Sequence, residues 1–467
     1  MEKVKEKSSF FRKFVGDKRF YLMVLSIAVP IMVQNGITNF VSLLDNIMIG
    51  RIGTEQMSGA AIVNQLIFVY NLAIFGAVSA ASIFGAQYFG KGNHKGHMYS
   101  FRFKLYATLL VTGGAILLFL TKGSALISLY LTDTVGNGAT DLALQYGLEY
   151  LAIMMVGLIP FAVNQSYATN IKETGQTFIP MLASFVAVGT NAILDYLMIF
   201  GIGPFPELGV QGAALATVIA RYIEALIVVI WAHIHRGKNR YLEGAYTGFG
   251  IPLAELKAIL IKGFPLMMNE VLWAAGMTTV TQCYSVRGLD VVAGLNIAST
   301  ITNLFNIVYL QLGSCISIVV GQYLGAGKLE DAKDADNKMI VFSVFCCVIM
   351  AALMFVVGGF FPGIYNTTEE IRELATSFIA VSAIIMPFCA FSHASYFTLR
   401  SGGKTVVTFL FDSVFTWVIV VPAAYLLAHF TGLGIVSIYF LVQGTELIKV
   451  IIGYLMVKSN VWVVQMV

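Results

Sequence analysis

Charged side chains are scarce in this chain. Asp, Glu, Lys and Arg together make up 12% of its 467 residues, about half of the roughly 25% usual in soluble domains. So few charges cannot clothe a water-facing surface of this size, which excludes an ordinary soluble globule. Cysteine is rare too. Cys283, Cys315, Cys346, Cys347 and Cys389 fall within or at the edges of apolar runs without C-x-x-C spacing. That pattern argues against a disulfide framework or a zinc site and for small packing residues. The sequence contains no Walker motif, nucleotide-binding glycine loop, H-E-x-x-H or nucleophile elbow, so nothing marks an ATP-driven engine or a hydrolytic enzyme.

What the chain has is apolar length. Hydrophobic residues reach 58%, gathered into twelve runs at about 21–48, 59–85, 103–121, 143–168, 178–200, 209–233, 257–285, 291–319, 339–361, 373–398, 404–428 and 433–457. Each has about the 20 residues a helix needs to cross hydrocarbon. They are too continuous for barrel strands. The expected fold is therefore an all-α integral membrane protein with twelve transmembrane helices.

Lysine and arginine set the expected orientation. With the N-terminus inside, 23 of the 29 fall in cytoplasmic segments and only Arg51, Lys122, Arg287 and Arg372 outside. Arg221 and Lys449 lie within runs. This positive-inside bias places both termini in the cytoplasm and the chain in the cell membrane. Segment 1–20 is basic and amphipathic and is expected to lie along an anionic membrane face rather than to be a cleaved signal.

Adding 235 maps the first half of the chain onto the second. Pro30 falls on Pro265, Met32 on Met267, Gly53 on Gly288, Asn71 on Asn306, Gln87 on Gln322, Gly90 on Gly325 and Gly92 on Gly327. The offset then drifts, with Pro160 matching Pro387, Gly175 matching Gly403 and Gly209 matching Gly434. An even number of spans per repeat makes the repeats parallel, related by an axis along the membrane normal, an arrangement that transporters use for alternating access. The expected organisation is a basic segment 1–20, an N-lobe 21–233, a cytoplasmic linker 234–256, a C-lobe 257–457 and a tail 458–467.

Intramembrane charge is costly, about 2.5–3.5 kcal/mol per group on insertion scales, and so points to function. Asp45 lies near the expected outer end of run 1. Asn191 and Asp195 stand four apart on one face of run 5, and Thr217 lies on run 6. Two carboxylates, an amide and a hydroxyl suit either Na+ or a proton shared between neighbouring acids. Alternatively, Asp195 only hydrogen-bonds a neighbouring helix. Glu270 follows Pro265 by five residues and could bind a cationic substrate, carry a proton, or be satisfied by packing. Arg221 with Glu224, and Glu446 with Lys449, stand three apart and are expected to be self-neutralising pairs. Asp412 and His393 are also intramembrane and titratable, and a lone histidine there is expected to be a packing residue.

These residues resemble the multidrug and toxic compound extrusion (MATE) family, in its bacterial type, over essentially the whole chain. The resemblance is carried by Ala28-Val-Pro30, Asp45-Asn-Ile-Met-Ile-Gly50, Gly85-Ala-Gln87-Tyr-Phe-Gly90, Asn191-Ala-Ile-Leu-Asp195 and Gly212-Ala-Ala-Leu-Ala-Thr217, taken in order and spacing. It implies two pseudo-symmetric six-helix lobes in a V, exporting cationic or amphipathic organic compounds in exchange for Na+ or H+. Asp45, Asn191, Asp195 and Thr217 resemble the N-lobe cation site, and Glu270 resembles a helix 7 glutamate of some branches. An acidic residue that NorM-type members carry about eleven residues before the arginine matching Arg400 is missing from Pro387-Phe-Cys-Ala-Phe391. The N-lobe site therefore carries more weight than one in the C-lobe.

No cofactor is expected beyond Na+ or H+ as the coupling ion. The expected partners are an organic cation and the bilayer, with no nucleic acid, and the chain is expected to be a monomer. The alternative considered is a lipid or lipid-linked oligosaccharide flippase of the same superfamily. Its cavity should be strongly cationic, whereas the intramembrane charges here are mainly acidic.

Overall fold

The computed structural model describes residues 14–131, 139–248 and 250–467. The first thirteen residues of the basic segment expected over 1–20 lie outside the described residues. Among the described residues every regular element is helical. The long helices are α1 (Lys18–Gly50), α2 (Thr54–Lys91), α3 (His94–Ser128), α4 (Ala139–Val156), α5 (Leu158–Glu173), α6 (Phe178–Ile199) and α7 (Val210–Ile234). They continue as α8 (Leu253–Ser285), α9 (Leu289–Gly325), α10 (Leu329–Gly358), α11 (Glu369–Ser401), α12 (Thr405–Phe430) and α13 (Ile435–Lys458). Eleven of these are each long and apolar enough to cross a membrane, and α4 with α5 form a twelfth span bent by 43°. The twelve apolar runs of the sequence thus become twelve spans, the fourth of them broken.

The break has a local cause. Gly157 separates α4 from α5, and Pro160 follows three residues later, so a backbone donor is missing where the second helix begins. A Cβ at Gly157 would press against Val218 and Arg221 of α7, so the glycine also lets that helix approach closely. In α12 the residues 410–414 and 416–420 take π-helical turns ahead of Pro422. A proline without an N–H forces the hydrogen-bond register to shift, and a widened turn is one way to absorb it. Left-handed turn glycines recur between the repeats: Gly92 and Gly327 have φ of 75° and 73°, and Gly175 and Gly403 have 81° and 70°.

The chain divides into two compact units. One comprises the residues up to Met32, Ala86–Asn93 and Ala258–Val467; the other comprises Val33–Gly85 and His94–Lys257. Among the described residues the first holds two large apolar cores and a smaller one of Ile297, Ile371 and Ala375. Val280, Phe305, Tyr309, Cys347, Phe378 and Met386 anchor one. Val24, Ile27 and Ile31 of α1 pack with Cys315, Ile316, Val320 and Trp462 in the other. The second unit is filled by Val63, Ile67, Tyr70, Ile127, Leu151, Met154 and Ala214. Leu110, Leu117 and Leu120 of α3, and Phe345 and Val356 of α10, are apolar yet exposed, a surface that only hydrocarbon satisfies. The five cysteines are all free.

Part of the segment between α7 and α8 is packed onto the second unit. Tyr241, Leu242 and Ala245 are buried with Met98, Phe101 and Tyr167. Arg102 of α3 donates to the carbonyls of Ala245 at 2.9 Å, Gly250 at 2.7 Å and Gly244 at 2.6 Å. Tyr246 shares a hydrogen bond with Tyr167 and stacks on His233 with ring centroids 5.8 Å apart. Burial pushes the Tyr241 and Tyr246 phenols above their ordinary value, so both stay neutral at physiological pH.

Candidate functional site

In the second unit the residues expected to handle a cation meet. Asp195 is 0% exposed and Asn191 is 5% exposed on the inner face of α6. The Asn191 amide donates to the Thr217 hydroxyl of α7 at 3.4 Å. The Asp45 carboxyl of α1 faces that of Asp195 within hydrogen-bonding range. Asp45 Oδ1 and both oxygens of Asp195 are buried, and among the described residues none accepts a well-formed hydrogen bond, with the Asn191 amide lying beside Asp195. Two carboxylates cannot hydrogen-bond to each other without a proton between them, and buried acceptors left open cost free energy. The arrangement is relieved by one proton on the pair or by one small cation among its oxygens. Tyr150 of α4 is buried within electrostatic range of both acids and donates its hydroxyl to Asn64 at 3.3 Å.

The charges at 221 and 224 are distributed differently from the expected self-neutralising pair. Arg221 donates to the Gly157 carbonyl, at the break between α4 and α5, at 3.4 Å and lies over the Phe161 ring at 5.2 Å. Glu224 accepts from Ser184, which in turn accepts from Gln34 at 2.7 Å. The two residues are three apart on one helix, but each is engaged by a different neighbouring helix. A local i, i+3 reading misses both engagements.

The same unit holds a second polar cluster that the sequence does not single out. Lys104 of α3, 0% exposed, pairs with Glu173 of α5 at 2.5 Å and also donates to Asn170. His97 completes the group, 3.3 Å from Glu173 and 3.2 Å from Asn170. Gly85 makes room for it, because a Cβ there would overlap the Glu173 carboxylate. The sequence offered one clue: Lys104 is followed by an apolar run with no carboxylate one helical turn away.

In the first unit Glu270 is half-buried on α8, and among the described residues no ion pair reaches it. Its neighbour Asn269 is the organiser. It donates to Asp412 at 3.0 Å and to the Tyr396 hydroxyl at 3.4 Å, and its Oδ1 accepts from the Ser413 backbone at 3.2 Å. Lys449 of α13 pairs with Asp412 at 2.7 Å. This corrects the expected Glu446–Lys449 pair: the partner of Lys449 comes from the π-helical stretch of α12, 37 residues earlier in the chain. His393 donates Nδ1–H to the Cys389 carbonyl at 3.0 Å and packs on Tyr309 at 4.7 Å, as expected of a packing residue.

Twelve apolar spans with polar and charged groups held inside each unit define a polytopic membrane transporter. A MatE family model matches this chain twice, over residues 30–197 and 265–426, so the chain belongs to the MatE family. The two matches start 235 residues apart, the same offset that relates the internal repeats. The chain is 23% identical over 416 residues to the probable multidrug resistance protein NorM of Thermotoga maritima, covering 89% of this chain and 87% of that one. It is 21% identical over 460 residues to the uncharacterized transporter YisQ of Bacillus subtilis, covering 96% of each. Its fold matches the outward-facing conformation of a multidrug resistance MATE family transporter of the MOP superfamily with a TM-score of 0.84, at 18% identity, over 94% of this chain and 95% of that one.

Proposed function

We propose that the protein exports cationic or amphipathic organic compounds across the cell membrane in exchange for Na+ or H+. The observation that carries the reading is the Asp45–Asp195 pair, with three buried carboxylate oxygens that no donor among the described residues satisfies. Relatives whose names describe multidrug resistance support the substrate class.

The buried pair has two states. With the ion absent, its negative charge is uncompensated and favours a cation nearby. With a proton or Na+ bound, the pair is satisfied, and its attraction for a cationic substrate falls. A proton would make one carboxyl the donor to the other. Na+ would draw on the oxygens of Asp45, Asp195, Asn191 and Thr217. The ion binds the two conformations with different affinity, and that difference is the only source of coupling. Glu270 is the candidate for holding a cationic substrate or carrying a proton. Ions entering from outside would thus release the substrate there, and their escape into the cytoplasm would reset the pair for alternating access. Both termini then face the cytoplasm, in keeping with the distribution of lysine and arginine.

The test is transport by the purified chain in liposomes. Ethidium should move against its gradient when a Na+ gradient or a pH gradient is imposed alone, and one of the two should suffice. Transport indifferent to both gradients would sink the exchange reading.

A further inference from the structure

In the first unit the second repeat holds a carboxylate whose state is the reverse of the Asp45–Asp195 pair. Each oxygen of Asp412 is engaged, Oδ1 by the Lys449 ammonium at 2.7 Å and Oδ2 by the Asn269 amide at 3.0 Å. The Lys449 ammonium also lies 5.4 Å from the centre of the Phe411 ring and 5.9 Å from that of Phe415. A carboxylate with two aromatic faces is the chemistry that recognises organic ammonium groups, since ring quadrupoles and the anion both attract a weakly hydrated cation. Here that recognition is spent on a side chain of the protein itself.

We infer that Lys449 is a tethered cation that fills an organic-cation site formed by Asp412, Phe411 and Phe415, and that a substrate ammonium binds there when Lys449 withdraws. Three features support this over a purely structural ion pair. Asp412 and Phe411 lie in the π-helical stretch of α12, a widened turn that turns up at functional sites more than in plain packing. The pair is not sealed, with Asp412 16% and Lys449 9% exposed at the side chain. An alternative anchor for the ammonium also exists. Glu446 lies one turn away on α13, and among the described residues its buried Oε1 receives no donor. Lys449 can therefore move from Asp412 toward Glu446 without losing a counter-ion, while Asn269 continues to hold Asp412. His393 of α11 is within electrostatic range of Lys449, Glu446 and Asp412, and Glu270 of α8 is within range of Asp412, so both can influence the exchange.

The inference takes only the substrate class from the export reading, and its test uses no ion gradient. Equilibrium binding of ethidium to the purified full-length chain in detergent is followed by fluorescence polarisation. A site blocked by its own ammonium nine-tenths of the time loses about tenfold in apparent affinity. Lys449→Met and Lys449→Gln should therefore each bind ethidium about tenfold more tightly than the parent chain. The gain should vanish in Asp412→Asn/Lys449→Met. Unchanged or weaker binding by the folded single variants would overturn the proposal. So would a gain that survives in the double variant, or failure of the chain to fold with either substitution at 449, since the pair would then be structural. Failure of gradient-driven transport would leave this binding result untouched, and failure here would leave the Asp45–Asp195 reading standing.

Discussion

The backbone of Gln322 fills the space where a side chain at Gly90 would go, so a Cβ at that position would overlap its carbonyl. The mirror relationship holds between Gly325 and the carbonyl of Gln87. Each pair consists of positions that the 235-residue offset interchanges, so the shared Gln-Tyr-x-Gly-x-Gly segments meet one another about their own pseudo-symmetry. The Gln87 side chain then ties this crossing to the end of the chain. It donates to the Ser401 carbonyl at 2.9 Å and accepts from the Met466 backbone at 2.8 Å.

That crossing leaves no room for a methyl group on either side. Gly90→Val and Gly325→Val should each destabilise the protein by about 1–3 kcal/mol or somewhat more, because the obstacle is backbone and cannot rotate away. Apparent melting temperature by size-exclusion chromatography of heated samples reads this directly. Equal stability of both variants and the parent would show that the segments separate freely.

The Lys104–Glu173 pair is fully buried, so removing one member strands the other. Lys104→Met alone should cost about 3–5 kcal/mol, and Lys104→Met/Glu173→Gln should recover much of that loss. The double variant keeps Asn170 and His97 as partners for the amide. Thermal stability of the three proteins checks the prediction, and a double variant no better than the worse single would contradict it.

Arg102 holds the segment around Gly244 and Gly250 through three carbonyls and no carboxylate. Arg102→Ala should therefore speed amide hydrogen exchange across residues 241–250 by about tenfold or more while leaving α3 protected, because each lost bond to a charged donor contributes about 1.5–3 kcal/mol. Mass spectrometry of exchanged peptides is the readout. Unchanged protection of that segment would assign its order to the aromatic packing alone.

Much of this fold was legible because the bilayer leaves few choices. A run of apolar residues long enough to span becomes a helix, and the twelve runs did so. The bend at Gly157 was hidden inside one run, since hydropathy does not register a missing donor. Its signal was the Gly157 and Pro160 spacing. The internal repeat was visible as identities at one offset, and the positive-φ glycines now give those identities a reason: Gly92 and Gly327 occupy the same left-handed turn.

The candidate site was legible in part. Asn191 and Asp195 share a helical face by arithmetic alone, and Asn191 does reach Thr217. Partners from distant helices were not legible. A sequence shows only neighbours along one helix, so it offers Arg221 to Glu224 and Lys449 to Glu446. Tertiary packing instead gave Lys449 to Asp412 and Glu224 to Ser184. His97, Lys104, Asn170 and Glu173 escaped for the same reason, with some seventy residues separating the two ends of their main ion pair.

The central claim is that the open carboxylates of Asp45 and Asp195 couple an ion to export. Its most direct measurement is ethidium transport in liposomes by Asp45→Asn and Asp195→Asn, under whichever imposed gradient drives the parent. With the binding and release of the ion removed, each variant should lose gradient-driven transport by about a hundredfold or more, a loss of about 2.7 kcal/mol in coupling, while remaining folded. Folded variants that export as fast as the parent would contradict the account.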